Sequence, residues 1–124
     1  MSALCAELVA RCFEARTVAH VAHLATPSYA EHKALNEFYD GIVDRADDYA
    51  EAAQGRYGLL DVGKYLGKAM TVGDPKKPVS IPSELRTWID KNRDKCGDER
   101  ELQNIIDEIL HLCDSTVYKL RFLS

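Results

Sequence analysis

The sequence predicts an all-α protein: a helical bundle with three long helices, a short third helix and a long irregular connection before it. Three observations lead there. Apolar residues recur at intervals of three and four through most of the chain, which is the spacing of one helix face. No stretch alternates apolar and polar residues as a half-buried strand does. The 124 residues are 46% hydrophobic and 29% charged, which is the composition and length of one globular domain over 1–124 and not of a disordered chain.

The first helix is expected from about Ser2 to Ala25, on the row Leu4, Leu8, Cys12, Ala15, Ala19 and Ala22. Pro27 ends it, because proline disfavours helical geometry at Thr26 and has no N–H with which to continue the ladder. Ser28-Tyr29-Ala30-Glu31 then reads as a capping box that opens the second helix. Its apolar row is Leu35, Phe38 or Tyr39, Ile42, Ala46, Tyr49 or Ala50, and Ala53, with a stop expected near Gln54-Gly55. Gly41 lies inside that helix at a cost of about 1 kcal/mol against Ala, and marks either a close packing partner or an ordinary position.

Arg56 to Ser80 is punctuated by Gly58, Gly63, Gly67, Gly73, Pro75 and Pro78, yet is too apolar for a free linker. It reads as a short broken helix at about 59–70 and then a surface loop through Asp74-Pro75-Lys76-Lys77-Pro78. A short helix follows from about Pro82 to Lys95, with Gly97 as its stop and Trp88 as a core anchor. The last helix is expected from about Asp98 to Phe122. Its row is Leu102, Ile105, Ile106, Ile109, Leu112 or Cys113, Thr116, Val117 and Leu120. Acids at its start and Lys119 and Arg121 at its end suit the helix dipole.

The net charge of −4 speaks against a general nucleic-acid-binding surface, which needs clustered Lys and Arg. No apolar run approaches the roughly 20 residues of a membrane span. The opening Met1-Ser2-Ala3-Leu4-Cys5-Ala6-Glu7 lacks the basic start of a secretory signal, so the expected compartment is the cytoplasm. Cys5, Cys12, Cys96 and Cys113 form no Cys-x-x-Cys pair and are expected as buried reduced thiols. No phosphate-binding glycine loop, nucleophile elbow or His-Glu-x-x-His occurs, so kinase and hydrolase chemistry have no support.

The chemistry-bearing residues gather around the first hairpin. His20 and His23 share a helix face, and His32 lies one turn into the facing helix. Asn36 is one turn below His32, and Asp47 and Glu51 form an i, i+4 carboxylate pair. Imidazole and carboxylate together can ligate a metal ion. His32 and Asp47 are fifteen residues apart on one helix, or about 22 Å along its axis. One chain cannot bring both to one ion, whereas two copies with antiparallel second helices can. The bland alternative is that the histidines cap a hairpin and that Asp44, Asp47, Asp48 and Glu51 are a solvated acidic face. His111 reads as structural.

This pattern resembles the Dps branch of the ferritin-like proteins, the mini-ferritins. There, a His near the end of the first helix is followed after twelve residues by a second His, then an Asp four on, then an Asp-x-x-x-Glu pair. Here His20, His32, Asn36, Asp47 and Glu51 take those places, with Asn36 standing for the first carboxylate, Val21 for a usual Trp, and His23 competing with His20. The resemblance covers about 15–55. It implies a ferritin-like four-helix bundle, iron as the bound metal, a ferroxidase site shared between subunits, and a homo-oligomer built on twofold dimers. In larger ferritins the last helix also supplies carboxylates; Asp107, Glu108 and Asp114 stand on it here, but no Glu-x-x-His motif supports that role.

Ser28-Tyr29-Ala30-Glu31-His32-Lys33-Ala34-Leu35, Phe38-Tyr39-Asp40, the run 101–109 and the run 114–120 also resemble a group of small tailed-phage proteins. That implies the same fold, a host-cytoplasm location and no established activity. Three functions follow: an iron-oxidising mini-ferritin, a non-enzymatic phage accessory or structural protein that binds a host protein, and an oligomer that sequesters a small ligand at Lys64, Lys68, Lys76 and Lys77.

Overall fold

The computed structural model describes residues 2–67 and 72–123, and among them four α-helices and no β-strand. They are α1 (Ser2–Ala25), α2 (Tyr29–Tyr57), α3 (Ser80–Asn92) and α4 (Arg100–Phe122).

The periodic rows become the core. Leu8, Cys12, Ala15, Ala19 and Ala22 of α1 are buried, as are Leu35, Phe38, Ile42, Ala46, Tyr49 and Ala53 of α2 and Leu102, Ile106, Ile109, Cys113, Thr116 and Leu120 of α4. Where the sequence left pairs open, Phe38, Tyr49 and Cys113 point inward, while Tyr39, Ala50 and Leu112 are partly buried at the edge. The small face of α1 lets α2 approach closely. Gly41 does have a close partner: a Cβ there would come within 3.0 Å of Arg45 Nη1 and 3.2 Å of Leu112 Cδ2.

Boundaries shift where tertiary contacts intervene. α2 runs beyond Gly55 to Tyr57 and is capped by Gly58, at φ +94°. The extra turn is held because Arg56 and Tyr57 on it both bond the Glu99 carboxylate. The same contacts draw Glu99 out of helical geometry, so α4 begins at Arg100 and not at Asp98. α3 starts two residues before Pro82, which still falls in the first turn where no N–H is needed. It ends at Asn92, and a 3₁₀ turn at Arg93–Lys95 continues towards Gly97. Of the short helix expected at 59–70, the described part is one 3₁₀ turn at Val62–Tyr65, with Asp61 as its cap; 68–70 lie outside the described residues. Trp88 is half-buried and not a core anchor, with the Arg11 guanidinium 4.8 Å over its ring.

The order of packing decides the topology. α1 packs against α2 and α3, and α4 packs against α2 and α3. Cys96, after α3, places its Sγ 3.6 Å from the Leu4 carbonyl at the start of α1, so α3 runs antiparallel to α1. Lys119 near the end of α4 pairs with Glu37 near the start of α2 at 2.6 Å. The four helices therefore run up, down, down, up. α2 and α3 lie on a diagonal, and the connection between them, of which 58–67 and 72–79 are described, joins the end of α2 to the start of α3 at the opposite end of the bundle.

Candidate functional site

The end of the bundle where α1 turns into α2 is fastened by side chains. Ser28 caps α2 by accepting from the Glu31 N–H at 3.2 Å. Glu31 closes the other half of the expected capping box through an intermediary: the Ser28 N–H donates to Thr26 Oγ1 at 3.1 Å, and that hydroxyl donates to Glu31 Oε1 at 2.6 Å. His23 Nδ1 lies 2.7 Å from the His32 carbonyl, and His32 Nδ1 lies 2.8 Å from the His23 carbonyl. The two rings stack at 3.6 Å between centroids and 21° between planes. Proline explains half of this. The His23 carbonyl would take its helical bond from residue 27, which has no N–H, so His32 supplies one across the hairpin.

His20 stacks on Tyr39 at 4.3 Å and meets His23 edge-on at 5.8 Å. The Tyr39 hydroxyl donates to Asn36 Oδ1 at 2.6 Å, and Asn36 Nδ2 donates to Asp40 Oδ2 at 3.1 Å. Sequence reasoning missed Tyr39 and Asp40 as parts of this cluster. The i, i+4 relation of Asn36 to Asp40 was the available signal, and it restores a carboxylate next to the amide that stands in a carboxylate's place.

Asp47 and Glu51 sit elsewhere. Both are exposed on α2 and neither is in an ion pair among the described residues. Asp47 borders a cleft of about 440 Å³ between α1 and α2, floored by Phe13, Val43 and Leu66 and rimmed by Glu14, Arg16 and Thr17. Among the described residues no three His, Cys, Asp or Glu side chains converge on one metal position. The stacked pair cannot chelate one ion as it stands. An imidazole binds metal in its own plane at about 2.0–2.1 Å, and two near-parallel planes 3.6 Å apart give no common point.

The other candidates are otherwise engaged. Asp107 pairs with Arg93 at 2.6 Å and Asp114 with Arg86 at 3.2 Å, on the outer side of α4. Glu108 and His111 are exposed. Lys64 is exposed on the 3₁₀ turn and Lys76 and Lys77 on the loop before α3, and Lys68 lies outside the described residues. All four cysteines are free and buried. Burial pushes the Cys96 and Cys113 thiols up to about 12 and raises Cys5 and Cys12 too. That keeps them protonated and unreactive.

At the opposite end, Glu99 is pushed down to about 2 by its bonds from Arg56 and Tyr57, and Tyr57 is pushed up to about 12 by the same carboxylate. No helix among the described residues is long and apolar enough to cross a membrane.

Fold and site together define a four-helix bundle with one long crossover and an imidazole-rich hairpin end. The chain belongs to a family described as of unknown function (DUF5856), whose profile matches residues 23–120. That span contains His23, His32, Asn36, Asp47 and Glu51 and leaves out His20. No curated protein and no solved structure matches the chain.

Proposed function

We propose that this protein is a ferritin-like bundle of the mini-ferritin kind that takes Fe(II) as substrate between two copies of the chain, with dioxygen as electron acceptor. The observation that carries the reading is the division of the ligand set along α2. His32, Asn36 and Asp40 lie towards one end, and the exposed carboxylates Asp47 and Glu51 lie towards the other. Antiparallel pairing of two α2 helices brings these half-sets together. The up-down-down-up order with a single long crossover, the arrangement of ferritin-like bundles, supports the same reading. His32 and His20 would supply nitrogen, and Asn36, Asp40, Asp47 and Glu51 oxygen, a donor mixture suited to iron.

The test is Fe(II) added without oxygen and then exposed to air, with Fe(III) absorbance followed and the oligomer sized by light scattering. Oxidation above buffer is expected for the wild type and is lost in Glu51→Gln and in His32→Asn. Refolding those two variants together restores part of it, because mixed pairs regain one complete site. Wild-type oxidation at the buffer rate sinks the proposal.

A second reading is a non-enzymatic accessory protein that binds a host protein. It is favoured by the exposed apolar side chains Val21, Leu24, Tyr29 and Phe122. A bare dimer without oxidation supports it.

A further inference from the structure

We infer that His23 is a positioning residue and not a metal ligand: it and its own carbonyl hold His32 in one tautomer, with Nε2 as the only nitrogen offered to a metal. This rests on the two-copy iron reading for its consequence, but not for its geometry.

A backbone carbonyl oxygen only accepts. Contacts of 2.7 and 2.8 Å from ring nitrogens to carbonyls therefore require a hydrogen on Nδ1 of both His23 and His32. In the neutral form each ring carries that one N–H, and its Nε2 is then bare. The clasp is rigid for identifiable reasons. The His23 carbonyl has no competing donor, because Pro27 lacks an N–H. The His32 carbonyl belongs to the first turn of α2, which the Ser28 cap fixes.

The stack then separates two roles. His23 is 7% exposed, with His32 against its face and His20 and Tyr39 against its edges. His32 is half-exposed. Metal-binding histidines commonly donate the distal N–H to a carbonyl, which fixes ring orientation and strengthens the other nitrogen as a donor. His32 has that arrangement already, and His23 contributes both the carbonyl and the ring it lies on. Of the two first-helix histidines, His20 is left as the ligand.

Asparagine places an N–H where histidine has Nδ1, and glutamine places one where it has Nε2. His23→Asn and His23→Gln therefore separate the roles. Imidazole ¹⁵N spectra of the full metal-free chain at neutral pH are expected to show the Nδ1–H tautomer for His23 and His32. Added Zn²⁺, a redox-silent probe, is expected to shift His32 Nε2 and leave His23 unmoved. Both variants keep the residue-23 carbonyl and with it the His32 tautomer; His23→Asn also keeps the bond to the His32 carbonyl and holds Zn²⁺ affinity within about threefold, whereas His23→Gln loses that bond and weakens binding about tenfold or more.

An Nε2–H or averaged tautomer at His32, a Zn²⁺ shift at His23 Nε2, or equal damage from both variants overturns the inference. If Zn²⁺ and Fe²⁺ move no imidazole while both tautomers are as stated, the clasp stands and the iron reading fails.

Discussion

Tyr49→Phe removes one oxygen atom and leaves the ring. Tyr49 is fully buried on α2, and its hydroxyl donates to the Cys96 carbonyl at 2.6 Å, tying α2 to the turn between α3 and α4. Burial also holds the phenol proton on, far above its ordinary range. The variant keeps the packing and strands a buried carbonyl. Leaving such an acceptor unmet costs about 1–3 kcal/mol, and about 2 is the working value. Unfolding entropy near 2.1 cal/mol/K per residue gives about 0.26 kcal/mol/K for 124 residues, so Tm should fall by about 8 °C. With a urea slope of about 2 kcal/mol/M, the midpoint should fall by about 1 M. Circular dichroism against heat and urea reads both. Tyr118→Phe is the control, since Tyr118 is 55% exposed, and should stay within about 0.5 kcal/mol of wild type. A Tyr49→Phe midpoint equal to wild type at unchanged slope would refute the reasoning.

The Glu99 cluster gives a two-sided pH dependence. A carboxyl pushed down from 4.5 to about 2 stabilises the fold fully above pH 4.5, and the contribution disappears as pH falls through about 2. The difference in urea midpoint between wild type and Glu99→Gln should be constant near neutrality and close on acidification across that window. Tyr57, pushed up from 10 to about 12, stabilises fully below pH 10 and ceases to do so as pH rises through about 12. The difference between wild type and Tyr57→Phe should close on that side. The buried thiols should resist alkylation by iodoacetamide at pH 8 in the native protein and react fully in urea, read by intact mass; labelling of native Cys12 or Cys113 would show the core to be open.

The hydrophobic rows, the Pro27 stop, the Ser28 cap and the all-α class were all legible in the 124 residues. Helix periodicity and capping are local and act through neighbours three or four positions away. Phe38, Tyr49 and Cys113 against their neighbours were not decidable locally, because either choice satisfies the period. Only the direction from which α4 and α1 arrive selects one. The ends of α2 and α4 were misplaced by one turn or less for a similar reason: Glu99 and Tyr57 are 42 positions apart in sequence, and their bond sets both boundaries.

The hairpin histidines show the same division. The sequence by itself placed His20, His23 and His32 at one hairpin, where imidazoles from both helices could converge. It also determined that His32 and Asp47 on one helix could not reach one ion. Tertiary structure alone decided what the meeting does. It made His23 and His32 exchange bonds with each other's backbone and set His20 on Tyr39. A missing N–H at Pro27 is visible in sequence, but which donor replaces it depends on where the facing helix places its ring. That is a matter of distance in space and not of spacing along the chain.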